Sequence, residues 1–239
     1  MRDDTVHPGG HRTPRHRCWV VAATTLAALL LAGCGPSGPP DPLSASTVEA
    51  RTAQVQRMRA ALTEVTDSLD GTVLGESSVD ECYEGQRNWK VDTGYDHRCS
   101  LLAGTLIGVD GDVRATMLDV DVALRALRWQ APDGEWPGQL VDEYWDLRAD
   151  ESSDGTVRLH LLPGPYSVRR DDLRLRFDYG DTADDRGREQ LDGAQRSTLW
   201  CCGPPSFERR RLIDVDQVAR AARQEHLILV TVEGHYLER

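Results

Sequence analysis

The sequence predicts an α+β fold, an antiparallel or mixed sheet with helices packed mainly on one face. Three observations predict it. Apolar residues recur at helical spacing in three segments; two further segments are near-continuous apolar runs of strand length while a third alternates; and no βαβ spacing repeats along the 239 residues.

The first helix is signalled by Ser46 and Glu49, a capping box ahead of Val48, Val55, Met58, Leu62, Val65 and Leu69, with Gly71 as its stop. Cys99 to Val109 is apolar on both alternating faces, as in an interior strand, and Asp110-Gly111 turns the chain. A second helix starts at Asp112, a favourable N-cap, and presents Val113, Met117, Val120, Leu124 and Leu127 on one face, with Trp129 just past its end. Gln139 to Arg148 predicts a short helix. Strands are expected at Val157 to Leu162 and at Leu173 to Tyr179, where Leu173, Leu175, Phe177 and Tyr179 alternate with charged residues. Gly180 to Ser206 is polar and weakly periodic and reads as a long loop, either an insertion stapled to the core or a binding loop around Trp200. Asp214 caps a third helix through about Gln224, and Leu227 to Val232 is the last strand. Leu118-Asp119-Val120-Asp121 and Ile213-Asp214-Val215-Asp216 share a local pattern that a duplicated unit would also produce.

The N-terminal segment carries the clearest functional signal. Arg2, Arg12, Arg15 and Arg17 precede Cys18 to Ala32, an uncharged stretch rich in Ala, Leu and Val. That is the order of a secretory signal, and a stretch of 15 residues falls short of the roughly 20 that a spanning helix needs. Leu31-Ala32-Gly33-Cys34 resembles a bacterial lipobox, the motif of the lipoprotein class. The resemblance implies that residues 1–33 are a signal peptide, that Cys34 is lipidated and becomes the first mature residue, and that the protein is membrane-anchored on the extracytoplasmic face. Residues 34–46 then form the lipidated Cys and a Gly/Pro/Ser-rich tether, and residues 47–239 a single extracytoplasmic domain.

Composition restricts the partners. The chain carries a formal net charge of −11. Residues 1–33 hold four arginines and two aspartates, so the mature part has 24 basic and 37 acidic residues. Nucleic acid is therefore not an expected partner, because non-specific binding depends on cationic side chains that displace counterions from phosphates. Of the 28 basic residues 27 are Arg and one is Lys90, a bias consistent with a GC-rich genome.

Of the cysteines, Cys82, Cys99, Cys201 and Cys202 remain once Cys18 and Cys34 are assigned to the leader and the anchor. Export favours disulfides, and spacing favours Cys82 with Cys99. A crossing arrangement, in which Cys201 and Cys202 pair separately with Cys82 and Cys99, is also open, as is a strained vicinal bridge. The loop they enclose, from Cys82-Tyr83-Glu84-Gly85-Gln86-Arg87-Asn88-Trp89-Lys90 to Gly94-Tyr95-Asp96-His97-Arg98-Cys99, resembles a segment of uncharacterised actinobacterial lipoproteins, and the likeness continues weakly to Trp129. That resemblance supplies no catalytic residues. Within the loop Trp89 and Tyr95 read as packing over the bridge, and Asp96 beside His97 as a solvated pair.

No catalytic or metal-binding motif emerges. Lys90 has no Gly-rich loop before it, so there is no P-loop, and Arg87 occupies the place where an acylating Ser-x-x-Lys pair needs its Ser. There is no Gly-x-Ser-x-Gly elbow and no His-Glu-x-x-His helix. His97, His160, His226 and His235 are scattered, Asp181, Asp184 and Asp185 lack calcium-loop spacing, and Arg209-Arg210-Arg211 reads as a solvated face. No catalytic residue, metal site or cofactor is expected. The sequence thus predicts a binding or interaction module whose partner beyond the membrane is an envelope protein or a small ligand. The alternative is an envelope-associated hydrolase with dispersed acid and base residues.

Overall fold

A computed structural model describes residues 41–86, 90, 92–132, 134–149, 166–183, 185–196 and 204–239. Cys34, Cys201, Cys202, Trp89, His160, Trp200 and the strand expected at Val157–Leu162 lie outside the described residues. The class is α+β, built on one six-stranded sheet whose pairings are all antiparallel.

The chain enters through a turn in which Asp41 accepts the amides of Leu43 and Ser44. That turn delivers Ser44 in an extended conformation, and its hydroxyl accepts the Thr47 amide as N-cap of α1, Ala45–Thr66. Ser46, expected as the cap, lies inside the first turn because the Asp41 turn fixes the entry two residues earlier. The buried line of α1 runs through Thr47, Gln54, Met58, Ala61, Leu62 and Val65, leaving Val48 exposed. Gly71 does not end the helix. It sits in the turn beyond it, where a Cβ would collide with Ile107 and the backbone of Gly108.

Strand β1, Thr72–Glu84, pairs with β2, His97–Val109, and β2 pairs in turn with the C-terminal strand β6, His226–Glu238. Between β2 and β6 come α2 (Val113–Ala126), α3 (Pro137–Ala149), β3 (Tyr166–Arg170), β4 (Leu173–Asp181), α4 (Asp185–Ala194), β5 (Phe207–Arg211) and α5 (Val215–Ala221). The spatial order is β3-β4-β6-β2-β1-β5, so the last strand occupies the middle of the sheet. Strands β1, β3 and β5 are absent from the sequence expectations because their apolar content is low: β5 reads Phe-Glu-Arg-Arg-Arg and pairs at the sheet edge.

Alternation along β6 assigns the two faces. Ile228, Val230 and Val232 join the larger core, with Met58 and Val65 of α1, Val120 and Leu124 of α2 and Val141 of α3. Leu227 and Leu229 point the other way, with Leu106, Leu191 of α4 and Val215 and Ala219 of α5. Helices thus cover both faces, three with the larger core and two with the smaller. Part of the segment expected to be a long loop is α4. Its single large apolar residue, Leu191, is fully buried because Gly180 and Gly187 let helix and strand backbones approach closely.

The two similar Asp-rich tetrapeptides serve different ends and mark no repeat. Asp214 caps its own helix through the Gln217 amide, 2.9 Å away. Asp121 lies inside α2 and accepts the amides of Gly138 and Gln139 at 2.8 and 2.9 Å, capping the start of α3 from a neighbouring helix. Past α2, Arg128 adopts a left-handed conformation (φ 63°) that turns the chain so that Trp129 is buried, with the Arg170 guanidinium over its ring. Among the described residues no helix is long and apolar enough to cross a membrane.

Cys82 stands opposite Cys99 in the β1–β2 register, and the two form a disulfide with Cα atoms 4.0 Å apart. The bond closes the loop whose Tyr95 is buried with Arg98 over its ring. The crossing arrangement with Cys201 and Cys202 is therefore not the one adopted. The Asp96 and His97 amides both donate to the carbonyl of Arg239, fastening the chain end to the start of β2.

Two stability outcomes follow. Replacing both Cys82 and Cys99 by Ala lowers unfolding free energy by about 3 kcal/mol in urea titrations, the chain-entropy value for a loop of this size. Gly138→Ala places a methyl against the Met117 carbonyl and beside Asp121, and lowers it by about 1–3 kcal/mol.

Candidate functional site

Helix α1 packs over β6 and β2, and β1 and β5 extend beyond its flank. The sheet face they leave uncovered becomes one wall of a groove, and the helix flank becomes the other. The cavity is about 460 Å³, within the range of about 300–1,000 Å³ common for ligand pockets. Val55, Met58 and Leu62 come from α1 and Leu101 and Ala103 from β2, giving an apolar floor, and Val73 stands exposed at one end.

Charge is placed around that floor by strand register. Asp80 faces Arg209, Ser78 faces Arg211 and Cys82 faces Phe207 across the β1–β5 pairing, so these side chains share the groove face. Arg210, between them, points to the opposite face and pairs with Glu81 at 2.9 Å and with Glu208. The three consecutive arginines read as one solvated run are thus divided: one is neutralised behind the sheet and two line the groove. Arg51 and Arg59 join them from α1, against the carboxylates of Asp67, Glu76 and Asp80.

One end of the groove is a buried polar network. The side chains of Arg51 and Asp80 are only 11% and 8% exposed, and Arg51 Nε lies 2.7 Å from Asp80 Oδ2, out of line with its N–H. Tyr236 Oη donates to Asp80 Oδ1 at 2.8 Å and accepts from Arg51 Nη2 at 3.2 Å. The Arg51 guanidinium faces the rings of Phe207 and Tyr236, 5.0 and 5.3 Å from their centroids, and Cys82 Sγ touches Tyr236 Oη at 3.5 Å. Burial pushes the Asp80 carboxyl above its ordinary range, opposed by the Tyr236 hydrogen bond and by the charges of Arg51 and Arg209. Burial also holds the Tyr236 phenol protonated, helped by the bond to Asp80.

No protein-family model, curated protein or solved structure matches the chain. The chemistry open to the groove therefore follows from its own side chains. A hydrolase working by acid–base catalysis needs a proton donor and a proton acceptor held in different environments. The groove offers one buried carboxylate, Asp80, already committed to Arg51 and Tyr236, while Asp67 and Glu76 are exposed.

Of the residues named from the sequence, Arg209 and Arg211 line the groove and Cys82 touches its polar end, while among the described residues the histidines and the Asp181–Asp185 cluster do not converge here. His226 Nδ1 lies 2.6 Å from Tyr179 Oη at the far end of β6, and His235 is desolvated, which pushes its pKa down. Asp185 pairs with Arg188, and Asp184 lies outside the described residues. Among the described residues no three His, Cys, Asp or Glu are placed to hold a metal ion. Sequence reasoning missed Arg51, Asp80 and Tyr236, which are 29 residues or more apart in the chain and carry no motif. The Arg209-Arg210-Arg211 run was the one local signal at the groove, and it read as a solvated face.

The network makes two measurable outcomes. Tyr236→Phe leaves the Asp80 carboxylate one donor short and lowers unfolding free energy by about 1–3 kcal/mol, read by urea titration. The folded Asp80 holds its proton more tightly than the unfolded one, so its stabilising contribution is full below the ordinary carboxyl range and is lost as pH rises through its raised folded value. Asp80→Asn accordingly flattens the fall of stability over that interval, leaving the part due to Asp121 and Asp178, whose carboxyls burial also raises.

Proposed function

We propose that the protein is a lipid-anchored extracytoplasmic binding protein, tethered to the membrane through Cys34, that takes a small ligand in the groove between α1 and the β1–β5 edge of the sheet. The anchor is supported by the basic leader, the apolar stretch and Leu31-Ala32-Gly33-Cys34. Two or more acyl chains on such a cysteine give stable attachment where a single chain binds marginally. The disulfide between Cys82 and Cys99 is in keeping with an oxidising compartment.

The observation that carries the ligand-binding reading is the groove itself: apolar floor, charged rim, and a rigid end closed by Arg51, Asp80 and Tyr236. Small-molecule sites are concave and largely apolar, with a few fixed polar groups that orient the ligand. The network at the closed end fixes the helix against the sheet, so the cavity is present before a ligand arrives.

Two substitutions separate the parts of this reading. Cys34→Ala abolishes acylation, and intact-mass measurement of the membrane fraction then finds no lipid-modified mature chain; persistence of the acyl mass would remove the anchor. Ser78 is exposed on the groove wall, so Ser78→Trp fills the cavity without disturbing the core. Native mass spectrometry of protein from its own host is expected to show a non-covalent adduct in the wild type and none in Ser78→Trp, and an adduct unchanged in the variant would place ligand binding elsewhere.

A further inference from the structure

We infer that the ligand of this groove is an anionic amphiphile, one apolar chain carrying a carboxylate or phosphate head, with the head held by Arg59 and Arg209 and the chain laid along Val55, Leu62, Leu101 and Ala103. This rests on the reading that the groove is the ligand site, and it adds the chemistry that the groove selects. The apolar part of the argument is the floor, which gains free energy only by covering apolar atoms.

The anionic part comes from what the charges at the rim do with one another. Four arginines and three carboxylates line the groove of a chain whose overall charge is −11, so the local sign is reversed. Arg51 is committed to Asp80, and Arg211 stands 3.8 Å from Glu76. Among the described residues Arg59 and Arg209 make no ion pair within 4 Å, although Arg209 faces Asp80 across the β1–β5 register and its charge acts on that carboxyl, and both arginines are exposed. They rise from opposite walls, Arg59 from the helix and Arg209 from β5. Guanidinium groups bind carboxylate and phosphate oxygens through paired, charge-assisted hydrogen bonds, and they reject a cationic head by the same field. Two such groups beside a hydrocarbon floor match a molecule with one anionic end and one apolar end. A purely apolar ligand leaves the guanidiniums unused, and a purely polar one leaves the floor wet.

The test uses the full chain carrying Cys34→Ala, so that no acyl chain of its own competes. The probe is cis-parinaric acid, whose emission rises in an apolar site, compared with its uncharged methyl ester. The acid is expected to bind at least about tenfold more tightly than the ester, and its affinity falls as salt is raised. Arg59→Gln and Arg209→Gln each weaken the acid by about tenfold and leave the ester unchanged, because each removes one charge-assisted contact. Both residues are exposed, so the variants keep the fold, which circular dichroism checks. Displacement by dodecanoate and by dodecyl phosphate, measured separately, tells which anionic head is preferred.

Equal binding of acid and ester, or wild-type affinity for the acid in both arginine variants, would overturn the anionic assignment. If Ser78→Trp still abolishes binding in that case, the groove remains a ligand site. Binding of neither probe would overturn the amphiphile, while binding of both undiminished by Ser78→Trp would overturn the groove as well.

Discussion

The pairing of β6 with β2 is the interaction on which the rest of the structure depends. Both strands are 13 residues long and they run side by side through the centre of the sheet, so the last segment of the chain supplies its middle. Leu227 to Val230 and Val232 are fully buried because this pair is covered on both faces. A central strand with helices on either side must be apolar at successive positions, which is why Leu227 to Val232 carries no clear alternation. Every other element takes its place relative to this pair: β4 extends the sheet on one side, β1 and β5 on the other.

The groove is a consequence of that arrangement. A single 22-residue helix is wide enough to cover two or three strands, and α1 settles where the apolar surface is greatest, over β6 and β2. The front face of β1 and β5 is thereby left beside the helix flank, and its residues, Ser78, Asp80, Arg209 and Arg211, are those of a wet surface. Where helix flank and strand face meet most closely, Asp80 and Arg51 are drawn out of water together. Either charge alone would be costly there; together, with the Tyr236 hydroxyl, they are satisfied on several sides. The Cys82–Cys99 bond lies against the same tyrosine, so covalent closure of the β1–β2 end and the polar network occupy one corner of the sheet.

Two buried polar groups elsewhere, Asp121 and Gln195, follow a different logic, each serving a local backbone need. Asp121 satisfies two amides at the start of α3, and Gln195 both donates to and accepts from the backbone of Ile213 at 2.7 and 2.8 Å, joining the end of α4 to the approach of α5. These groups are saturated by the protein itself and have little capacity for a ligand. Arg59 and Arg209 differ in being cationic and exposed, with no ion pair within 4 Å among the described residues, which sets the groove rim apart from the polar groups that hold the fold.

The sequence by itself determined the elements whose burial is one-sided or complete. The period of α2 with Asp112 as its cap, the apolar runs of β2 and β6, and the alternation of β4 were legible because a residue's solvent exposure there repeats with the geometry of its own element. Together with the absence of βαβ spacing they sufficed for the α+β class, and cysteine spacing singled out the Cys82–Cys99 pair. The resemblance of Leu31-Ala32-Gly33-Cys34 to a lipobox is likewise local and needs no fold to be read. What the tertiary structure alone decided is whatever depends on distant partners. Strand β5, five residues with three arginines, is a strand only because β1 offers it an edge. Helix α4 forms where two glycines admit it to the sheet, and α1 begins at Ser44 because Asp41 turns the chain there. The candidate site belongs wholly to this second kind. Arg51, Asp80, Arg209 and Tyr236 stand on four separate elements, and no local pattern records that one helix stops short of the sheet's edge and leaves a groove between them.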